Sequence, residues 1–73
     1  MKISARNSIP GTVTKIKLGP VSAEVTINVA GGIDIVSVIS TASAEELKLK
    51  VGAKAFAVIK ASSVMVGVEH ARS

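Results

Sequence analysis

Three short stretches of this 73-residue sequence are rich in hydrogen-bond donors and contain no carboxylate. In the first, Ser4 and Arg6 stand two positions apart, which places a hydroxyl and a guanidinium on one face of a strand. In the second, Lys60 is followed by Ala61 and Ser62, which together offer an ammonium, a hydroxyl and backbone N–H groups. A fully ionised oxyanion presents only acceptors, so stretches of this composition suit such a ligand.

The third stretch, Ser40–Ser43, adds three hydroxyls and leads into a predicted helix. The N–H groups at the start of a helix favour anions, which again points to an oxyanion. Each stretch alone has a structural interpretation that is the more common one: Ser43 as a helix cap, Lys60 as a solvated strand end, and Arg6 as a surface charge. The three stretches together favour a binding site for a small oxyanion.

Residues suited to catalysis or to binding metal cations are sparse. His70 is the only histidine and lies in a predicted C-terminal tail, and cysteine is absent. The five carboxylates are Glu24, Asp34, Glu45, Glu46 and Glu69. They are scattered rather than paired, and no general base with an orienting partner can be named. We therefore expect no enzyme, no metal-cation site and no organic cofactor.

Size and composition predict association into an oligomer. A domain of this length buries only about 60% of the surface that its unfolded chain exposes. Hydrophobic residues make up 48% of the chain, yet Phe56 is the single aromatic residue and no disulfide can form. Another copy of the chain is the simplest remaining source of stability, and it would also cover strands that are apolar on both faces.

The formal net charge of +4 indicates an anionic partner without identifying it, and it equally suits ordinary solubilising charge. Nucleic acid is the main alternative to a small oxyanion, because OB-like barrels bind single strands with a basic groove and stacking aromatics. Phe56 lies within an apolar strand, so we expect no exposed aromatic platform and no nucleic-acid partner. No apolar run approaches the roughly 18–20 residues of a membrane span, and no signal peptide is visible. We expect a cytoplasmic protein with no membrane partner.

Alternating apolar and polar residues predict a series of short strands. The clearest is Val21–Val29, which keeps a period of two throughout and is joined to the next strand by a turn at Ala30–Gly32. A bend is predicted at Pro10–Gly11. The predicted strands, in order, are Met1–Asn7, Thr12–Leu18, Val21–Val29, Ile33–Ile39, Ala53–Lys60 and Val64–Val68.

One helix is predicted between the strands Ile33–Ile39 and Ala53–Lys60. Ser43 and Glu46 have the spacing of a capping box with Ser43 as the N-cap, and Ala44–Lys50 are good helix formers. Five or so strands with one short helix before the fourth long strand is the element order of a small OB-like barrel. We therefore predict an all-β fold with one short helix, a five-stranded OB-like barrel that oligomerises, with a single domain over residues 1–69 and a flexible tail over 70–73.

The opening and the end of the sequence resemble one known family. Met1–Asn7, followed by Gly11, is similar to the opening of the molbindins, the Mop-type molybdate-binding proteins with a TOBE/Mop domain. Val58–Val68 looks like the closing motif of that family, and Leu47–Gly52 is similar as well. The resemblance runs from Met1 to about Glu69. The Ser-Ala-Arg-Asn opening together with the Lys-Ala-Ser closing is fairly specific.

The resemblance implies a ligand, an assembly and a set of ligand residues. Molbindins of this length form hexamers, trimers of dimers, which hold molybdate or tungstate at subunit interfaces. By this resemblance, Ser4 and Arg6 match the ligands of the opening motif. Lys60 matches the lysine of the closing motif, with Ala61 and Ser62 beside it. The implied function is cytoplasmic binding and storage of molybdate, with tungstate as an alternative ligand.

The resemblance extends to two further groups of residues. Ser40 stands where family members carry Thr or Ser, and Ser43 matches the hydroxyl just before the helix. The single-domain members also have a second class of oxyanion site near the three-fold axis. The turn with Gly19, Val21 and Ser22 matches that site only in part, because the proline at position 20 removes an N–H group.

Overall fold

The computed structural model describes residues 6–70, which form one antiparallel sheet and one short helix. The strands are β1 (Asn7–Leu18), β2 (Ser22–Val29), β3 (Ile33–Ser40) and β4 (Lys54–Ile59). Helix α1 (Thr41–Glu46) lies between β3 and β4, and a 3₁₀ turn (Ala61–Ser63) follows β4. The strand order across the sheet is β3-β2-β1-β4. The predicted β-rich class with one short helix is confirmed.

Strand β1 holds the sheet together, because its two halves pair with different partners. Residues 7–12 pair with β4 and residues 11–18 pair with β2, so Gly11 has a partner on both sides. The predicted bend at Pro10–Gly11 is wrong, since β1 continues through both residues with unbroken pairing to β4. At Pro10 the described sheet has a partner strand on one side only, which is where a proline is tolerated. A Cβ at Gly11 would stand 2.6 Å from the backbone oxygen of Asn28, so only glycine fits at this crossing.

The core consists of small and β-branched side chains. Its members are Val13, Val25, Ile27, Val29 and Ala57, and half-buried isoleucines and Leu49 pack against them. The buried positions of β2 alternate as the sequence predicted. A groove of about 400 Å³ opens beside this core between β3 and β4. Phe56 lines the groove and is 52% exposed, so the expectation that no aromatic side chain is accessible is wrong.

The helix begins three residues earlier than predicted. Ser40, not Ser43, is the N-cap: its Oγ accepts a hydrogen bond from the Ser43 N–H at 3.0 Å. The last residue of β3 therefore leads directly into the first turn of the helix. The chain leaves the helix at Lys48, whose φ of 54° is left-handed, so the helix does not extend to Lys50 as predicted.

The end of the described chain differs most from the sequence expectation. Val64–Val68 was predicted as the last strand, but within residues 6–70 it pairs with no strand and leaves β3 and β4 as open edges. Its apolar side chains lie in solvent, with Met65, Val66 and Val68 exposed by 88% or more. His70 is exposed, as expected for a tail. The predicted strand Met1–Asn7 and the predicted tail lie mostly outside the described residues.

No helix within residues 6–70 has both the length and the apolar character needed to cross a membrane.

Candidate oxyanion site

Residues from the two ends of the sequence meet at one end of the sheet. The last register pair between β1 and β4 joins Asn7 to Ile59, and the next residues outward on the two segments are Arg6 and Lys60. The side-chain amide of Asn7 strengthens this junction by donating to the Ile59 carbonyl oxygen at 3.2 Å. The topology thus brings two cations to the same end of the sheet, and both residues are exposed.

The 3₁₀ turn after Lys60 adds neutral donors at the same place. The Ser63 N–H closes the turn by donating to the Lys60 carbonyl oxygen at 2.8 Å. The N–H groups of Ala61 and Ser62 precede that bond, so the turn itself gives them no acceptor. We refer to Arg6, Lys60, Ala61 and Ser62 as the cationic end. Ser4, predicted to belong here, lies outside the described residues.

The remaining predicted residues gather at the opposite end of the sheet. Ser40 on β3 pairs in register with Ser22 on β2, and the Ser40 Oγ donates to the Ser43 Oγ at 2.8 Å. Gly19 lies in the turn before β2, where its N–H donates to the Ser22 carbonyl oxygen at 2.9 Å. We refer to Gly19, Val21, Ser22, Ser40, Thr41 and Ser43 as the hydroxyl end. The residues matched to the second class of site therefore lie beside Ser40 and Ser43.

The cationic end and the hydroxyl end are separated by the length of β1. The strand runs from Asn7 at the cationic end to Leu18 at the hydroxyl end, and twelve residues of strand span roughly 35 Å. A molybdate-sized anion contacts groups only a few ångströms apart. One copy of the described chain therefore cannot bring Arg6 or Lys60 to the same ligand as Ser40 or Ser43.

Sequence reasoning missed two residues that organise these ends. Asn7 stands in the opening motif with no predicted role, yet its amide joins β1 to β4 at the cationic end. Thr41 was counted among the hydroxyls of Ser40–Ser43 without being assigned to the site. Its Oγ1 donates to the Gly19 carbonyl oxygen at 2.7 Å. The sequence signal for both was a donor side chain inside a donor-rich motif, but the acceptors are distant in sequence and only the fold reveals them.

The charges near the two ends differ. A shallow hollow of about 300 Å³ at the hydroxyl end is lined by Gly19 and Ser22, and also by Lys17 and Glu24, which are register partners on β1 and β2. An anion in this hollow would meet one carboxylate as well as one cation, whereas both charged residues of the cationic end are cations, so the hollow is the poorer single-chain site. Among residues 6–70 no three His, Cys, Asp or Glu side chains lie close enough together to hold a metal cation.

A small β-rich domain with donor groups at the ends of its sheet is the class of protein that these observations describe. The sequence model of the TOBE domain matches residues 3–66, and the chain belongs to the TOBE domain family, among the Mop-type molybdenum-pterin-binding proteins. The predicted resemblance to the molbindins is confirmed.

Similar proteins agree in sequence and in fold. A probable molybdenum-pterin-binding protein of Haemophilus influenzae is 54% identical over 69 residues, which cover 94% of this chain and all of that protein. The structure of MopII from Clostridium pasteurianum superposes with a TM-score of 0.87 at 48% identity, covering 92% of this chain and 100% of that one.

The cytoplasmic molybdate-binding protein ModG, solved with molybdate bound, has a TM-score of 0.89 and 49% identity over 94% of this chain and 49% of that one. These likenesses confirm the predicted OB-like fold class.

Proposed function

We propose that this protein binds molybdate, with tungstate as a second ligand, and stores it in the cytoplasm. The oxyanion is held by charge-assisted hydrogen bonds from Arg6 and Lys60, together with hydroxyl and backbone N–H donors. No catalytic step belongs to this function. Molybdate is the bound cargo rather than a cofactor for chemistry at the protein.

The observation that carries the proposal is the meeting of Arg6 and Lys60 one step beyond the Asn7–Ile59 pair. The two cations lie near opposite ends of the chain in sequence. The fold brings them to one end of the sheet, beside the donors of the 3₁₀ turn. Family membership and a molybdate-bound relative of the same fold support molybdate as the oxyanion.

The binding unit in this proposal is a homo-oligomer, a hexamer built as a trimer of dimers. Two observations support assembly. First, the predicted ligands stand at ends of the sheet that one copy cannot bring together, so a complete site needs the hydroxyl end of another copy. Second, the exposed apolar segment Val64–Val68 and the open groove between β3 and β4 leave apolar surface that association would cover.

Single-stranded nucleic acid is the competing function, and the half-exposed Phe56 is the observation that favours it. Stacking on aromatic side chains contributes roughly 1–3 kcal/mol per base in proteins that bind single strands. Phe56 is the only aromatic residue in the chain, so a row of stacked bases has no platform here. The oxyanion function is therefore the better supported of the two.

Calorimetric titration of the full chain distinguishes the two functions. Separate titrations with sodium molybdate, sodium tungstate, sodium sulfate and a twelve-nucleotide single strand should give saturable binding of molybdate and tungstate and no oligonucleotide response. Light scattering on the same samples should give the mass of a hexamer. Oligonucleotide binding without molybdate binding would overturn the proposal, and a folded monomer that binds molybdate would overturn its interface arrangement.

A further inference from the structure

We propose that Thr41 is a positioning residue for the oxyanion site: it holds the hydroxyl end in register and removes two backbone carbonyl oxygens from the reach of the ligand. This inference rests on the proposed function. It assigns a role to a residue that the donor pattern of the sequence did not single out, and it depends on the contacts that Thr41 makes across the sheet.

Thr41 connects two elements through two hydrogen bonds of good length. Its Oγ1 donates to the Gly19 carbonyl oxygen at 2.7 Å, and its backbone N–H donates to the Val21 carbonyl oxygen at 2.9 Å. Both acceptors belong to the turn between β1 and β2, whereas Thr41 is the first residue of α1. The side chain is half-buried, so the Oγ1 bond is partly shielded from competing water.

These bonds determine what the turn presents to an anion. Pro20 has no N–H group, so the turn is short of donors and relatively rich in carbonyl oxygens. An unpaired carbonyl oxygen close to an oxyanion repels it, because both carry negative charge. The Thr41 hydroxyl donates to the carbonyl oxygen of Gly19, and the Thr41 backbone N–H donates to that of Val21. Both carbonyl oxygens are therefore hydrogen-bonded and do not face the ligand unpaired.

The same bonds fix the neighbours of Thr41. Ser40 precedes it and pairs with Ser22, while Ser43 lies two residues further on in the first turn of α1. The Ser40 Oγ donates to the Ser43 Oγ at 2.8 Å and also accepts from the Ser43 N–H at 3.0 Å. Because the Ser43 oxygen is the acceptor in the first bond, the Ser43 hydroxyl keeps its own hydrogen to donate to a ligand. Thr41 anchors this arrangement to the turn.

The experiment compares four forms of the full chain: wild type, Thr41→Val, Thr41→Ser and Thr26→Val. Valine has nearly the shape of threonine without the hydroxyl, whereas serine keeps the hydroxyl. Thr26 is also half-buried but lies in the middle of β2, away from both ends, so Thr26→Val is the matched control. Each form is titrated with sodium molybdate and sodium sulfate, and its oligomeric mass and urea midpoint are measured.

We expect Thr41→Val to bind molybdate roughly tenfold more weakly than wild type, the fold-change that corresponds to one lost hydrogen bond. Thr41→Ser should stay within about threefold of wild type, and Thr26→Val should match it. The ratio of molybdate to sulfate affinity should fall in Thr41→Val. Hydrogen-bond donors that are held less rigidly can adjust to the smaller sulfate ion, so they discriminate less between the two ions. A purely structural role would lower the urea midpoint without moving this ratio.

Three results would overturn the inference. Wild-type affinity in Thr41→Val would show that the hydroxyl is not needed, and equal weakening in Thr41→Ser would show that the hydroxyl is not the cause. A wild-type protein that fails to bind molybdate would reject the proposed function, and this inference with it. If Thr41→Val does not fold, Thr41→Ala replaces it, with the same expected tenfold loss and the same overturning result.

Discussion

The side-chain amide of Asn7 donates a hydrogen bond to the carbonyl oxygen of Ile59 at 3.2 Å, which fastens the beginning of β1 to the end of β4. Just outward of this contact lie Arg6 and Lys60, the two cations assigned to the ligand. The position of the charged half of the proposed site is thus set by one register pair between strands that are far apart in sequence.

Removing Arg6 tests whether attraction for the anion is local. Arg6→Ala should weaken molybdate binding by about 1.5–3 kcal/mol, because a charge-assisted hydrogen bond is lost. Lys15→Ala removes the same charge from an exposed position in the middle of β1 and should have almost no effect. Calorimetry on both variants measures the difference. Equal losses would mean that the attraction is diffuse and that the cationic end is not the site.

Selectivity against phosphate tests the chemical character of the donors. Near neutral pH molybdate and sulfate carry no proton, whereas phosphate carries one or two and so brings an O–H donor. That donor needs an acceptor when it is buried, and the proposed ligands include no carboxylate. Phosphate should bind at least tenfold more weakly than molybdate, a difference of about 1.4 kcal/mol. Competition titrations at neutral pH measure it, and displacement of molybdate by phosphate as readily as by sulfate would contradict the donor-only site.

Sulfate has the charge of molybdate and can be rejected only by size. A smaller ion cannot contact every donor at once when the donors are held rigidly. Under the proposed interface arrangement, variants that loosen the contact between copies, such as Val66→Asp, should therefore lose the preference for molybdate over sulfate before they lose binding altogether. Titrations of both ions against such variants give the ratio directly. Parallel loss of both affinities would show that rigidity does not set the preference.

The exposed segment Val64–Val68 tests the assembly. Val66 is 88% exposed in one copy, and Val66→Asp places a charge where we expect apolar contact with a neighbour. This variant should have a smaller mass by light scattering at micromolar concentration and should bind molybdate more weakly. Ala30→Asp introduces the same charge at the exposed turn between β2 and β3 and should leave the mass unchanged. A wild-type mass for Val66→Asp would place this segment outside the interface.

A substitution at Gly11 tests the position where β1 pairs with β2 on one side and with β4 on the other. Its absent Cβ would stand 2.6 Å from the Asn28 oxygen and 2.7 Å from a methyl carbon of Ile27, so Gly11→Ala must displace β2. We expect the free energy of unfolding to fall by about 1–3 kcal/mol, the range for overpacking. Ser8→Ala, at an exposed position of the same strand, is the control. Urea denaturation measures both, and equal midpoints would mean that the crossing tolerates a side chain.

Lys48 tests the end of the helix. Its φ of 54° is left-handed, a conformation that costs about 1–2 kcal/mol for a residue other than glycine. Lys48→Gly should raise the free energy of unfolding by about 0.5–1 kcal/mol after the entropy of the unfolded glycine is subtracted. Lys50→Gly should lower it slightly, since the left-handed benefit does not apply there. Urea midpoints check the sign, and a loss in Lys48→Gly would contradict this view of the helix end.

The sequence alone determined the class of the fold and the donor-rich chemistry of the candidate ligand residues. Alternation in β2 is a local property of neighbouring residues, and it survives in the structure because one face of the sheet is buried. The donor-rich composition around Arg6 and Lys60 is likewise local, and neither stretch itself contains a carboxylate.

The sequence failed where a distant partner changes the local outcome. Pro10–Gly11 reads as a bend by composition, but pairing with β4 on one side and close approach of β2 keep the strand continuous there. The capping-box spacing favoured Ser43 as the N-cap. In the structure β3 ends at Ser40, and the Ser40 hydroxyl caps the helix by accepting a hydrogen bond from the Ser43 N–H. Phe56 reads as core by its neighbours, but it lines a groove at an open edge.

Only the tertiary structure decided how the candidate ligands are grouped. Position in the sequence does not reveal that Arg6 and Lys60 lie at the same end of the sheet, or that Ser40 lies beside Ser22 at the other end of β1. Strand register determines both, and register depends on contacts between residues far apart in the chain. The same geometry separates the cations from the hydroxyls within one copy. Under the proposed function, a second copy of the chain would for that physical reason have to complete the site.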